Sequence, residues 1–492
     1  MTKRILFSVG AVSAFLLMTA FCGFYVAKVD AKLLNKTSQV ILARSGQQTV
    51  VTMASDFEGD VKDFAMVIPV PEVPTRDQIR LAEHSVFEKL DAYSGPRLVE
   101  YFDDEPCDAN LANGSYTFTA KAAAAPVEDA SAPDHGVEIV AQYAIGEYDI
   151  LILSAKESQG LKVWLNKNGY KIPEGANEVL DPYIKNNMKF FVVKVNLDEY
   201  EKSGEQDLHP IQLTYNSDKF MLPIRLGMAN ADGPQDLIVY AFSDKGQIEC
   251  ANYRTVEVPT DRDVPMFVRD QFQSFYEALF TKAWKAAGKN VVFKEYSWDL
   301  NSDNFVHCDP CTTDPPLMAD LKEAGVFWLA GATPTGSRTS DYEGQLHITR
   351  MHLRYDREHF PQDLAFQATP NKENFQGRYV MHIPAKGSMD CDAADEYLSK
   401  LALRREGELK GLNELTGWST EAFVGYIHAT RNGGTKFTPG DLSKASLGGD
   451  AASISQTPDK EDNTAPWGLA LIGIAVLGGG YLAFRALRGK AA

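Results

Sequence analysis

The chain is apolar at both ends and acidic between them, and that pattern limits where its fold can sit. Lys3 and Arg4 precede an apolar core from Ile5 to Met18, and small residues follow. This reads as a secretory signal over residues 1–20, cut after Ala20. An uncleaved anchor is the alternative, because Phe24, Tyr25 and Val26 prolong the apolar run to about 20 residues. Lipidation of Cys22 is disfavoured by the bulk of Phe21 beside it. At the other end, WGLALIGIAVLGGGYLAFRAL runs from Trp467 to Leu487 and has the length of a bilayer crossing, about 20 residues. Its glycines at 468, 473 and 478 do not make the four-residue dimerisation pattern. Arg485, Arg488 and Lys490 come next, and positive residues stay cytoplasmic. The expected layout is a signal at 1–20, an ectodomain, a transmembrane helix at 466–487 and a cytoplasmic tail at 488–492. The protein is then a single-pass protein of the cell membrane, with its ectodomain extracytoplasmic, periplasmic or on the cell surface.

Charge narrows the partners. Removing the +2 of the signal and the +3 of the tail from the overall −17 leaves −22 between them. Such an exterior repels nucleic acid and anionic lipid and favours solubility. No nucleic-acid partner is expected, and the one expected attachment is to the membrane through the C-terminal helix. An acidic surface is more often solvated than cation-binding. Six cysteines lie outside the membrane: Cys22, Cys107, Cys250, Cys308, Cys311 and Cys391. An even count in an oxidising compartment suggests three disulfides, with 15 possible pairings. The expected set pairs Cys22 with Cys107 and the other four within the C-terminal half.

An ectodomain of this length exceeds one typical core, so two regions are expected, residues 21–260 and 261–432. Gln39 to Met53 reads as a hairpin around Arg44–Gln47, and FAMVIPVP as a strand at an edge or an exit. Glu83 to Tyr93 forms a short helix, and residues 120–136 a small, proline-bearing loop. YDILILSA and FFVVKV are buried strands; between them Ser158 caps a helix carrying Leu161, Trp164 and Leu165 on one face. IQLTY and FMLPIRL are expected to pair as a hairpin around Asn216, Ser217 and Asp218. DLIVYAF, QIECANYRTV, NVVFKEY, VFWLA and HITRMHLRY read as further strands. One long helix is expected from Pro265 to Ala287, with Val268, Phe272, Phe275, Tyr276, Leu279 and Ala283 as a core stripe. Another runs from Asp392 to Leu415. Residues 433–465 lack apolar periodicity and read as a disordered stalk. Hairpins mixed with irregularly spaced helices indicate an α+β fold of antiparallel sheets with packed helices.

Catalytic, cofactor-binding and metal-ligating sets are all expected to be absent. Cys308-Asp309-Pro310-Cys311 is the sharpest motif. A thioredoxin-like pair needs its first cysteine at a helix N-terminus, where the dipole lowers the thiol pKa. Pro315 and Pro316 instead put the helix start at Pro315, with Asp314 as its cap. Zinc would need two more ligands, from His307, His382 or Cys391, and no second paired knuckle exists. A c-type haem is excluded by Thr312, where a histidine is required. His347 and His352 lie at an odd offset on one strand and so point to opposite faces. Ser154 and Lys156 could form a serine–lysine pair but more simply end a strand. Nucleophile elbow, phosphate loop, HExxH and EF-hand patterns are missing.

Several long segments carry a resemblance: CGFYVAKVDAKLLNKTSQVIL, FAMVIPVP, LDAYSGPRLVEYFDDEPC, WLNKNGYKIP, CDPC, HLRYDREHFPQDLAFQ and NFQGRYVM. Together they resemble a bacterial family of secreted or membrane-anchored proteins, domain of unknown function 2330, over Cys22 to Trp418. The resemblance implies an extracytoplasmic bacterial protein, often with a C-terminal anchor, and the match at Cys22 favours cleavage before it. It implies no substrate and no catalytic residue. The expected function is a non-enzymatic, membrane-tethered binding or envelope-structural ectodomain. The alternatives are a thiol-disulfide oxidoreductase using Cys308 and Cys311, and a hydrolase assembled from distant residues.

Overall fold

The computed structural model describes residues 24–427 apart from 29–36, 55–63, 108–137, 155–157, 168–169, 172–175, 204–207, 230–232, 302–307, 309–310, 312, 334–339 and 388. The expected signal, Cys22, the loop at 120–136, Lys156, His307, the stalk, the transmembrane helix and the tail lie outside the described residues. Among the described residues no helix is long and apolar enough to cross a membrane.

Two sheets face each other, and helices cover the outer side of each. The larger sheet has nine strands. Along its path these are Arg254–Glu257, Val291–Asp299, His347–Tyr355, Gln235–Ser243, Thr37–Ser45, Gln48–Met53, Ile211–Asn216 and Ile79–Leu81; Phe375–Gln376 pairs with Val291–Asp299. It is antiparallel except where Gln235–Ser243 lies beside Thr37–Ser45 and Arg254–Glu257 beside Val291–Asp299. The smaller sheet has six antiparallel strands, with Lys189–Val195 and Phe64–Val70 near its middle. Mixed α+β architecture with antiparallel sheets and few helices is therefore the observed class.

The alternation of strands explains the layers. Val40, Leu42, Val239, Met351 and Leu353 of the large sheet meet Met66, Ile68, Ile150, Ile152, Phe191 and Val193 of the small one in a single core. On the far side of the small sheet, Val67, Phe190 and Val192 pack on Leu161, Trp164 and Leu180 of the helices Ser158–Lys167 and Ala176–Lys185. On the far side of the large sheet, helix His84–Ser94 covers Ile41, Tyr240 and Tyr296. Beside it, helices Phe272–Ala286 and Asp392–Thr416 cover Val291 and Phe293. Each fully buried aliphatic or aromatic side chain contributes about 1.5–3 kcal/mol, so the chain's apolar runs dictate this stacking. The large sheet takes strands from both sides of residue 260, for example Gln235–Ser243 against His347–Tyr355.

Several elements depart from the sequence reading. IQLTY and FMLPIRL do not form a hairpin. Ile211–Asn216 is already flanked by Gln48–Met53 and Ile79–Leu81, so Met221–Leu222 pairs with Leu364–Ala368 instead. VFWLA is not a strand through most of its length. The N–H of Val326 closes the end of helix Met318–Glu323 on the Leu321 carbonyl, and Gly325 (φ +86°) makes the left-handed turn before it. Only Ala330–Gly331 is extended, paired with Tyr342–Glu343. FAMVIPVP is interior to its sheet, but the register with Phe24–Lys28 reaches only Val67, so Pro69 needs no donor on that side. The Pro265–Ala287 helix is divided: Met266–Gln271 is a 3-10 segment, and the α-helix spans Phe272–Ala286.

Candidate functional site

The described cysteines form two disulfides, Cys107–Cys391 and Cys308–Cys311, and Cys250 is a buried free thiol. This corrects the expected Cys22–Cys107 bond and the expected pairing of Cys250. Arg97–Phe102 runs parallel to Arg378–Ile383, so both chains leave at the same end, and Cys107 meets Cys391 there with Cα atoms 5.8 Å apart. The helix after the CDPC motif starts at Met318, not Pro315. The second of two prolines disfavours helical backbone at the first, and Asp341 Oδ1 accepts the Met318 N–H at 2.7 Å. Neither Cys308 nor Cys311 stands at a helix N-terminus.

The concentration of buried charge lies elsewhere, between the large sheet and helix Phe272–Ala286. Arg350, His352 and Arg354 alternate along one strand and so share one face. Glu295, fully buried on the neighbouring strand, accepts from Arg350 Nε at 2.7 Å, from His352 Nδ1 at 2.8 Å, and from the Tyr276 hydroxyl. The pairing register shifts between Lys294 and Tyr296. This bulge turns Glu295 and Tyr296, successive side chains, to the same helical side. Asp236 takes Arg354 in a bidentate bond at 2.8 and 2.9 Å and stands 3.4 Å from His352 Nε2. Asp91, at the rim, accepts from Arg350 Nη1 at 2.6 Å and from the Tyr240 hydroxyl at 3.0 Å. The His352 ring stacks on Phe280 with centroids 3.8 Å apart, and Arg354 lies over Phe280 and Trp284.

The charges of Glu295, Asp236 and His352 are fixed by their neighbours. Burial opposes the negative charge of Glu295, but His352 and Arg350 overcome it and hold its pKa down to about 2. Asp236 is also held near 2 against burial, by His352 and Arg354. Burial opposes the positive charge of His352, yet Glu295 and Asp236 raise its pKa to about 8. A cavity of about 600 Å³ opens over the cluster. Its floor includes Gln39, Asp236, Glu295, Arg350, His352 and Arg354; its roof is Phe272, Tyr276 and Phe280; Gly95, Pro96 and Arg97 close one end. The arrangement can hold a polar ligand through oriented donors; His352, with a pKa near 8, carries its proton between Glu295 and Asp236.

A serine–histidine pair exists on the opposite face of the same strand. Ser297 Oγ lies 2.8 Å from His347 Nε2, and both residues are buried. The Ser297 hydroxyl also donates to Gln247 Oε1 at 3.2 Å, so the His347 N–H donates to the serine rather than taking its proton. Burial lowers the His347 pKa to about 4, and its Nδ1 has no hydrogen-bond partner among the described residues. A catalytic triad would need an orienting acid there. Ser154 of the expected serine–lysine pair accepts from Lys189 Nζ at 3.2 Å. Among the described residues no three of His, Cys, Asp and Glu could hold a metal ion.

The odd offset of His347 and His352 does separate them. Sequence reasoning stopped there and missed Glu295, Asp236, Arg350 and Arg354. One signal was available: the even spacing of Arg350, His352 and Arg354 puts three basic side chains on one face of a buried strand. The aromatic stripe is core at Phe275 and Leu279, but Phe272 and Tyr276 line the cavity.

A family profile described as "Uncharacterized protein conserved in bacteria (DUF2330)" matches residues 17–367. It stops short of Trp418, where the resemblance was expected to end. No curated protein and no solved structure matches the chain.

Proposed function

The chain belongs to this bacterial family, and from that premise we propose that it is a non-enzymatic, membrane-tethered binding protein of the extracytoplasmic space. Its ligand site is the cavity between helix Phe272–Ala286 and the large sheet. The observation that carries the reading is the cluster beneath that cavity, where Glu295, Asp236, Arg350, His352 and Arg354 are joined by hydrogen bonds and ion pairs. Such a cluster is preorganised to bind. The signal-like start, the apolar run at 466–487 and the two disulfides support an oxidising compartment outside the cytoplasm. The acidic exterior supports the absence of a nucleic-acid partner.

Cysteine labelling in intact cells tests the topology. A cysteine placed at Leu403, an exposed position, should react with a membrane-impermeant reagent. One placed at Ala491 should react only after the membrane is opened. Labelling of Ala491→Cys from outside, or protection of Leu403→Cys, would overturn the proposal.

A thiol-disulfide oxidoreductase has one observation in its favour: Cys308 and Cys311 are bonded and Cys311 is exposed. Without a helix N-terminus at Cys308 the thiolate gains no dipole stabilisation. Reversible cycling of this pair against a dithiol buffer would promote that reading.

A further inference from the structure

The lining of the cavity carries information about the class of ligand. Four cationic side chains border it, Arg97, Arg350, His352 and Arg354, against two carboxylates inside it, Asp236 and Glu295, and two exposed ones at its rim, Asp91 and Glu277. Asp91, Asp236 and Glu295 are already engaged with those cations. Glu277 accepts from Gln273. The interior is thus locally positive in a chain of net charge −17.

Two guanidiniums converge at one end. Arg97 Nε donates to the Gly95 carbonyl at 3.3 Å, and Arg350 Nη1 stands 3.6 Å from the position a Cβ on Gly95 would take. Burial above all, and the nearby Arg350 charge, pull the Arg97 pKa down. An anionic group seated between them would ease that repulsion and accept charge-assisted hydrogen bonds. The roof beside this end is flat and apolar: Phe272 and Tyr276 are half-buried, with ring centroids 6.2 Å apart and planes within 29°.

We infer that the cavity takes a small organic anion, its charged group between Arg97 and Arg350 and its apolar body against Phe272 and Tyr276. The inference rests on the binding role proposed above. Benzoate, benzamide, benzylamine and inorganic phosphate, titrated into the purified full-length protein by calorimetry at neutral pH, test it. Benzoate should bind at least about tenfold more tightly than benzamide, since one charge-assisted hydrogen bond is worth that factor or more. It should also exceed phosphate, and benzylamine should not bind.

Gln39→Glu, nearly isosteric on the cavity floor, should weaken benzoate about tenfold while melting like wild type. Arg97→Gln should do the same; if that variant fails to fold, Gln39→Glu carries the test. Benzamide or benzylamine binding as well as benzoate, or Gln39→Glu leaving benzoate unaffected, would overturn the anion assignment and leave a binding cavity. Phosphate matching benzoate would remove the aromatic roof from recognition. Silence from all four probes would remove the binding role along with the inference.

Discussion

At the scale of single residues, His352 couples the cavity to pH. Its folded pKa is about 8, above the 6.5 of a free imidazole. A raised value means the folded state holds the proton more tightly. The stability it contributes is therefore complete below about pH 6.5 and is lost as pH rises through 8. The difference corresponds to at most about 2 kcal/mol. Glu295 works in the other direction: its contribution is present above about pH 4.5 and is lost as pH falls through about 2. The melting temperature should fall between pH 6.5 and 8.5, and His352→Gln should flatten that slope. NMR titration of the imidazole should report a midpoint near 8. A midpoint at or below 6.5 in the folded protein would contradict the ion pairs with Glu295 and Asp236.

At the scale of elements, local signals were readable wherever a segment carried its own start, period and stop. Asp392–Thr416 ends on Gly417 at φ +78°, with its N–H on the Asn413 carbonyl at 2.7 Å. Lys282 Nζ adds bonds to the carbonyls of Asn413 and Glu414. Gly417→Ala should cost about 1 kcal/mol, because the left-handed turn is strained for alanine while the nearest neighbour would be 3.8 Å from its Cβ. Urea titration should show a lower midpoint with an unchanged slope; an unchanged midpoint would mean that the turn relaxes. The Gln39–Met53 hairpin and the His347–Tyr355 strand were legible for the same reason. Strand order was not, because partners such as Gln235–Ser243 and Thr37–Ser45 are far apart in sequence and no local rule names them. The candidate site was legible only on one strand. Its central carboxylate sits at a bulge, where alternation ceases to report the face, and its counter-charges arrive from three other elements.

At the scale of the whole molecule, the last described segments finish a core begun much earlier. Leu409, Leu412, Trp418 and Phe423 pack with Phe267, Phe275 and Phe293, although the family match ends at residue 367. The Cys107–Cys391 bond, with Arg404 bidentate on Asp103 at 2.6 and 2.9 Å, fastens that closing layer. Crosslinks stabilise chiefly by restricting the unfolded chain, and more so for longer loops. With its ends 284 positions apart, this bond should be worth about 5–6 kcal/mol, and the Cys308–Cys311 link, three positions apart, about 2 kcal/mol. Denaturation of Cys391→Ala beside a Cys308→Ala, Cys311→Ala double variant should show that order; equal losses would refute it. The same long separation sets a timetable for biogenesis. At roughly 5–20 residues per second, Cys107 is made about 15–60 s before its partner exists. Cys250, Cys308 and Cys311 all emerge during that wait. Correct pairing then depends on Cys308 consuming Cys311 promptly and on Cys250 disappearing into the first core, so that Cys107 is still a thiol when the final helix is delivered.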